Sequence, residues 1–133
     1  MVISESIKVL DVDALEGVNL EEFMAAVAAM AANGGMAVDD HNGRRTKAAV
    51  GLMTHYGPGW VGSTRVVALF EGTPFCLNRI EVRNGVPHIT PWSVGGVVDP
   101  AGTLEETLEG YNALQDEGDD LYGGRRIVAY ATF

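Results

Sequence analysis

The sequence predicts an α+β fold, and three observations predict it. Two stretches, about residues 20–32 and 104–116, carry helix start signals followed by periodic apolar residues. The region between them, residues 36–98, is rich in β-branched residues and turn dipeptides. Both ends of the chain also read as strands, giving the order β-α-β(several)-α-β with an antiparallel or mixed sheet. At 133 residues this is one domain, 1–133, long enough to bury a single core.

Each element has its own reason. Val2–Val12 carries Ile3, Ile7, Val9 and Leu10 and reads as the first strand, with imperfect alternation. In "GVNLEEFMAAVAAMAANGG", Asn19 suits a helix N-cap and Glu22 stands three residues on, in capping-box position. Val18 and Phe23 occupy the two staple positions around that cap. Asn33-Gly34-Gly35 supplies a stop that tolerates left-handed backbone. The helix between is alanine-rich on several sides. Another surface can therefore approach its backbone closely, and a sheet face or a neighbouring subunit would both serve.

In the β-rich middle, Asn42-Gly43 marks a turn. "TKAAVGLMTHY" and "STRVVALFE" read as strands on either side of "GPGWVG". "LNRIEVRNGVPHITPW" reads as a hairpin, with Asn84-Gly85 favouring a type I′ turn. A two-residue loop pairs Arg83 with Val86, Val82 with Pro87, Glu81 with His88 and Ile80 with Ile89. Pro87 and Pro91 lack the N–H, so this arm is expected at a sheet edge, or as a strand that ends early. After the Asp99-Pro100 turn, Thr103 and Glu106 repeat the capping-box pattern. Leu104, Leu108, Tyr111 and Leu114 make the apolar stripe of the second helix, while Glu105, Glu106 and Glu109 face water. "RRIVAYATF" is the closing strand.

"GPGWVG" at residues 57–62 matches G-x-G-x-x-G. A dinucleotide-binding turn needs a helix after the last glycine, whose N-terminus receives the pyrophosphate. Here "STRVVALF" follows, which is β-branched, and Pro58 removes an N–H from the loop. The stretch therefore reads as a wide turn between antiparallel strands, with Tyr56 and Trp60 flanking its tip.

Other chemistry is thinly represented. His41, His55 and His88 are scattered, with no H-x-x-H or C-x-x-C pair, so no metal ligand set is assigned. Cys76 is the only cysteine, set among apolar neighbours, and excludes an intrachain disulfide. Ser63 and Ser93 lack the nucleophile elbow. No catalytic residues and no cofactor are assigned. The longest apolar run, Phe23–Ala32, is too short to span a bilayer, so no membrane partner is expected. The N-terminus lacks a basic region followed by an apolar run, which reads as cytoplasmic on synthesis.

The net charge is −9, unevenly distributed. Residues 1–40 hold eight acids against one base, residues 41–98 two acids against six bases, and residues 99–133 eight acids against two bases. A net negative chain argues against nucleic acid as partner. The alternation instead suits contact between unlike surfaces of copies of one chain. Arginine outnumbers lysine seven to two, a usage that accompanies GC-rich coding. The expected function is non-enzymatic protein–protein contact. Its concrete form is a self-assembling structural subunit, such as a connector, tail or decoration protein of a phage virion. Candidate contact residues are Tyr56, Trp60, Arg44, Arg45, Lys47, Arg79 and Arg83. A second reading is a small intracellular inhibitor or regulator of a host protein, using the Tyr56–Trp60 loop or the Asn84-Gly85 hairpin. A third is a small enzyme or ligand-binding domain using His55 and His88.

Overall fold

The computed structural model describes residues 6–34, 38–39, 50–56, 62–71, 80–84, 86–89, 103–116 and 126–133. Along the chain they form β1 (Ile7–Val9), a 3-10 helix (Asp13–Gly17), α1 (Leu20–Ala32), β2 (Val38–Asp39), β3 (Val50–Tyr56), β4 (Ser63–Phe70), β5 (Ile80–Arg83), β6 (Val86–Ile89), α2 (Leu104–Asp116) and β7 (Ile127–Thr132). The class is α+β, and both helices span the residues their caps and stripes predict. A four-stranded antiparallel sheet has the order β1-β7-β4-β3. A three-stranded sheet has the order β2-β6-β5, with β2 parallel to β6.

Local chemistry sets the helix ends. Asn19 Oδ1 accepts from the Glu22 N–H at 3.2 Å, capping α1. Val18 packs against the core cluster that contains the buried Phe23, consistent with a staple. At the other end Gly34 adopts φ +69° and its N–H donates to the Ala31 carbonyl, which closes the helix. Thr103 Oγ1 accepts from the Glu106 N–H at 3.2 Å and donates to Glu106 Oε1 at 3.0 Å. The second capping pair therefore closes through the threonine hydroxyl.

The central strands β4 and β7 are buried on both faces of the four-stranded sheet, and strand alternation assigns each side. Val67, Leu69, Ala129 and Ala131 face α1, where they meet Leu20, Phe23, Ala26, Val27 and Met30. Val66, Ala68, Phe70 and Tyr130 face α2, where they meet Leu108 and Tyr111. Phe70 and Tyr111 pack edge to face, ring centroids 6.1 Å apart. A bulge between Leu69 and Phe70 shifts the ladder, so that Leu69 opposes Ala129 but Phe70 opposes Ile127. This shift brings Ile127 onto the α2 face beside Tyr130. Cα atoms of β5 and β6 come within 8 Å of α1, as do those of β4. The alanine-rich helix thus meets strands of both sheets.

The β5–β6 hairpin has the expected register from Ile80↔Ile89 to Arg83↔Val86, and Asn84 has φ 51° as a type I′ corner requires. Three expectations are corrected. The arm carrying Pro87 is the middle strand of its sheet rather than an edge. Among the described residues β2 pairs with His88 and Ile89, and the missing N–H of Pro87 falls outside that described ladder. The strand read over Val2–Val12 is shorter at its far end: β1 stops at Val9, and Val12 is 71% exposed before the 3-10 helix. Leu114 is 39% exposed instead of completing the stripe of α2, whose buried positions are Thr107, Leu108, Tyr111 and Asn112. The expected turns at Asn42-Gly43 and Asp99-Pro100 lie outside the described residues.

Candidate functional site

The polar chemistry of the described residues gathers where α2 meets the four-stranded sheet. Asn112 lies one turn beyond Leu108 on the buried face of α2. Its Nδ2 donates to the Ile127 carbonyl at 2.8 Å, and its Oδ1 accepts from the Ile127 N–H at 2.7 Å. The amide therefore occupies both backbone groups of one strand residue, as a neighbouring strand would. β1 pairs no further than Val9↔Ala129, after which the Leu10 and Asp11 N–H groups both donate to the Val128 carbonyl. Asn112 takes over where that ladder stops.

One turn earlier, Thr107 Oγ1 donates to the Thr103 carbonyl at 2.9 Å and lies 3.3 Å from His55 Nε2 on β3. A hydroxyl has a single hydrogen, and the carbonyl takes it. His55 is then the donor, with its proton on Nε2. Both side chains are buried, so each needs this partner. His55 and Thr107 thereby fasten β3 to α2.

Arg126 precedes β7 and ties three segments together. Its guanidinium lies 3.2 Å from Asp11 Oδ2 and 3.3 Å from Asp116 Oδ1. The second contact reaches the buried Nε without hydrogen-bond geometry. Asp11 also accepts from the Ala14 N–H through Oδ1 at 3.3 Å, which starts the 3-10 helix. Asp116 is the last residue of α2, where an acid opposes the helix dipole, and Arg126 offsets that charge.

Tyr130 is buried below the acidic side of α2. Burial, and then the charges of Glu105 and Glu109, raise its phenol above the usual 10.0. The folded protein thus holds a proton that the unfolded chain releases near pH 10. That contribution to stability is complete below pH 10 and is lost as pH rises above it. Ultraviolet titration should show a phenol that ionises above the ordinary value, and Tyr130→Phe should remove that step. Four phenols ionising together at the ordinary value would contradict this placement.

The contact residues named from the sequence are only partly placed. Tyr56 is the last residue of β3, and Arg83 is the last residue of β5. Trp60, Arg44, Arg45, Lys47 and Arg79 lie outside the described residues. Tyr56 pairs with Ser63 across the β3–β4 hairpin, so a strand follows Gly62, whose φ is +74°. The glycine pattern at 57–62 therefore joins two antiparallel strands, and the strand-to-helix context of a dinucleotide-binding turn is absent there. His55 is committed to Thr107, while His88 sits opposite Glu81 in the smaller sheet, as its register predicts.

The sequence reading did not single out Thr107, Asn112, Arg126 or Tyr130. The signal for the first two is their spacing: they fall at i+3 and i+8 from Leu104, on the stripe itself. Among the described residues no three His, Cys, Asp or Glu side chains gather as a metal ligand set, and no helix is long and apolar enough to cross a membrane. No family model, curated protein or solved structure matches the chain.

Proposed function

We propose that the protein works by specific protein–protein contact, as a self-assembling structural subunit. The observation that carries this reading is the charge pattern: a cationic segment, residues 41–98, between two strongly acidic ones. The described helices agree with it. Glu21, Glu105, Glu106 and Glu109 are exposed on two helices that lie on opposite faces of the central sheet. A copy that offers acids on its helices and bases from Arg44, Arg45, Lys47, Arg79 and Arg83 is complementary to another copy in a head-to-tail sense. Such contacts close a ring or grow a tube. A small virion component, of connector, tail or decoration type, is the concrete form proposed.

Light scattering across protein concentration, at low and high salt, tests this. A discrete oligomer that loosens with salt is expected, because exposed charge pairs are screened. Replacing Arg44, Arg45 and Lys47 together by glutamate should weaken association by on the order of tenfold or more. A monomer at every concentration and salt level would reject self-assembly and turn attention to a foreign protein partner.

A further inference from the structure

The two helices cover opposite faces of the same sheet, but different forces hold them. The buried face of α1 is wholly apolar: Leu20, Phe23, Ala26, Val27 and Met30. Lifting α1 would expose that surface and the sheet beneath it, and water offers nothing in return. It would also separate α1 from strands of the second sheet. The buried face of α2 is half polar, Thr107 and Asn112 beside Leu108 and Tyr111. Its bonds to His55 and Ile127 can be exchanged for bonds to water at little net cost once both sides are wet.

The intrinsic stability of the helices differs in the same direction. α1 consists of Leu, Glu, Met, Ala, Phe and one Val, mostly strong helix formers. α2 contains Gly110 and Asn112, both poor ones. Glu105 and Glu109 place like charges one turn apart on α2. Each of these terms makes α2 easier to detach and melt than α1.

We infer that α2 is a releasable cover: it opens as a unit from the sheet face of Val66, Ala68, Phe70, Ile127 and Tyr130 while α1 and the rest of the sheet stay folded. Opening uncovers that apolar sheet face without unfolding the domain. Such sub-global opening is what native-state hydrogen exchange reads.

The experiment is amide exchange of the full chain under native conditions, resolved by peptide. The amides of residues 104–116, including the central turn at Leu108–Asn112, should exchange at least about tenfold faster than those of 20–32. Equal protection of the two helices would overturn the proposal. So would fast exchange confined to the ends of α2, which is fraying. Gly110→Ala provides the second arm, because Gly110 is exposed and a Cβ there would meet nothing within 4 Å. It should slow exchange across α2 by about fivefold and leave α1 unchanged. If α1 slows equally, the helices open together and the cover does not exist.

Discussion

Replacing Asn112 by leucine is expected to destabilise the protein by about 2–5 kcal/mol, although leucine has a similar volume and a better helix propensity. The cost lies in what the substitution leaves behind. Ile127 is fully buried, and its N–H and C=O both depend on the Asn112 amide. Leucine can accept from neither group and donate to neither. Each would be left unpaired in a dry interior, at about 1–3 kcal/mol apiece. Asn112→Asp separates the two bonds: its carboxylate can still accept from the Ile127 N–H but cannot donate to the carbonyl, and it adds a buried charge. Both variants should unfold at lower urea concentration than the parent, with Asn112→Asp recovering in part as acid protonates its carboxyl. A loss below about 1 kcal/mol for Asn112→Leu would mean that Ile127 finds other partners, and that the amide is not the surrogate strand.

That interface also shows where the sequence is readable and where it is not. Capping pairs are local, so Asn19 with Glu22 and Thr103 with Glu106 announce their helices within four residues. Asn84-Gly85 fixes the hairpin register for the same reason: a two-residue turn leaves one way to pair the arms. Asn112 and Thr107 carry only their place on the stripe, which does not reveal their partners. An asparagine within a helix reads as a solvated residue until a strand lies fifteen residues on, at Ile127, to receive it. The placement of β6 depends likewise on a non-local fact, that the two residues of β2 pair with its far half, His88 and Ile89. Leu114 misleads for a geometric reason. Spacings of four, three and three drift around the helix, and the buried stripe passes through Thr107 and Asn112 instead. The bulge opposite Leu69 and Phe70 is non-local as well, and it alone puts Ile127 on the α2 face. For the candidate contact surface, charge blocks name the residues, but only Tyr56 and Arg83 can be placed on elements.

A loss at least as large should come from the other face of the sheet. Phe23 is completely buried and is the largest side chain in the cluster that joins α1 to the sheet. Phe23→Ala removes most of that side chain and leaves a cavity bounded by a helix and strands that cannot collapse onto it without bending, so the expected cost is about 3–5 kcal/mol. Domains of this kind are stable by about 5–15 kcal/mol, so the variant keeps as little as a fraction of the original margin. It also loses one half of the staple with Val18, which fixes how the chain enters α1. Three companions sharpen the reading. Phe23→Leu keeps most of the volume and should cost less than half as much. Ala28→Ser, on the exposed side of the same helix, should change stability by no more than about 0.5 kcal/mol. Phe70→Ala opens a cavity on the α2 face, where Tyr111 packs edge to face, and should match Phe23→Ala in size. The two phenylalanine variants then differ in hydrogen exchange. Phe70→Ala should speed exchange in α2 far more than in α1, whereas Phe23→Ala should lower protection throughout, because the α1 face holds the two sheets to one helix. Urea midpoints that fall by the same amount for Phe23→Ala and Ala28→Ser would show that α1 does not pack on the sheet through Phe23.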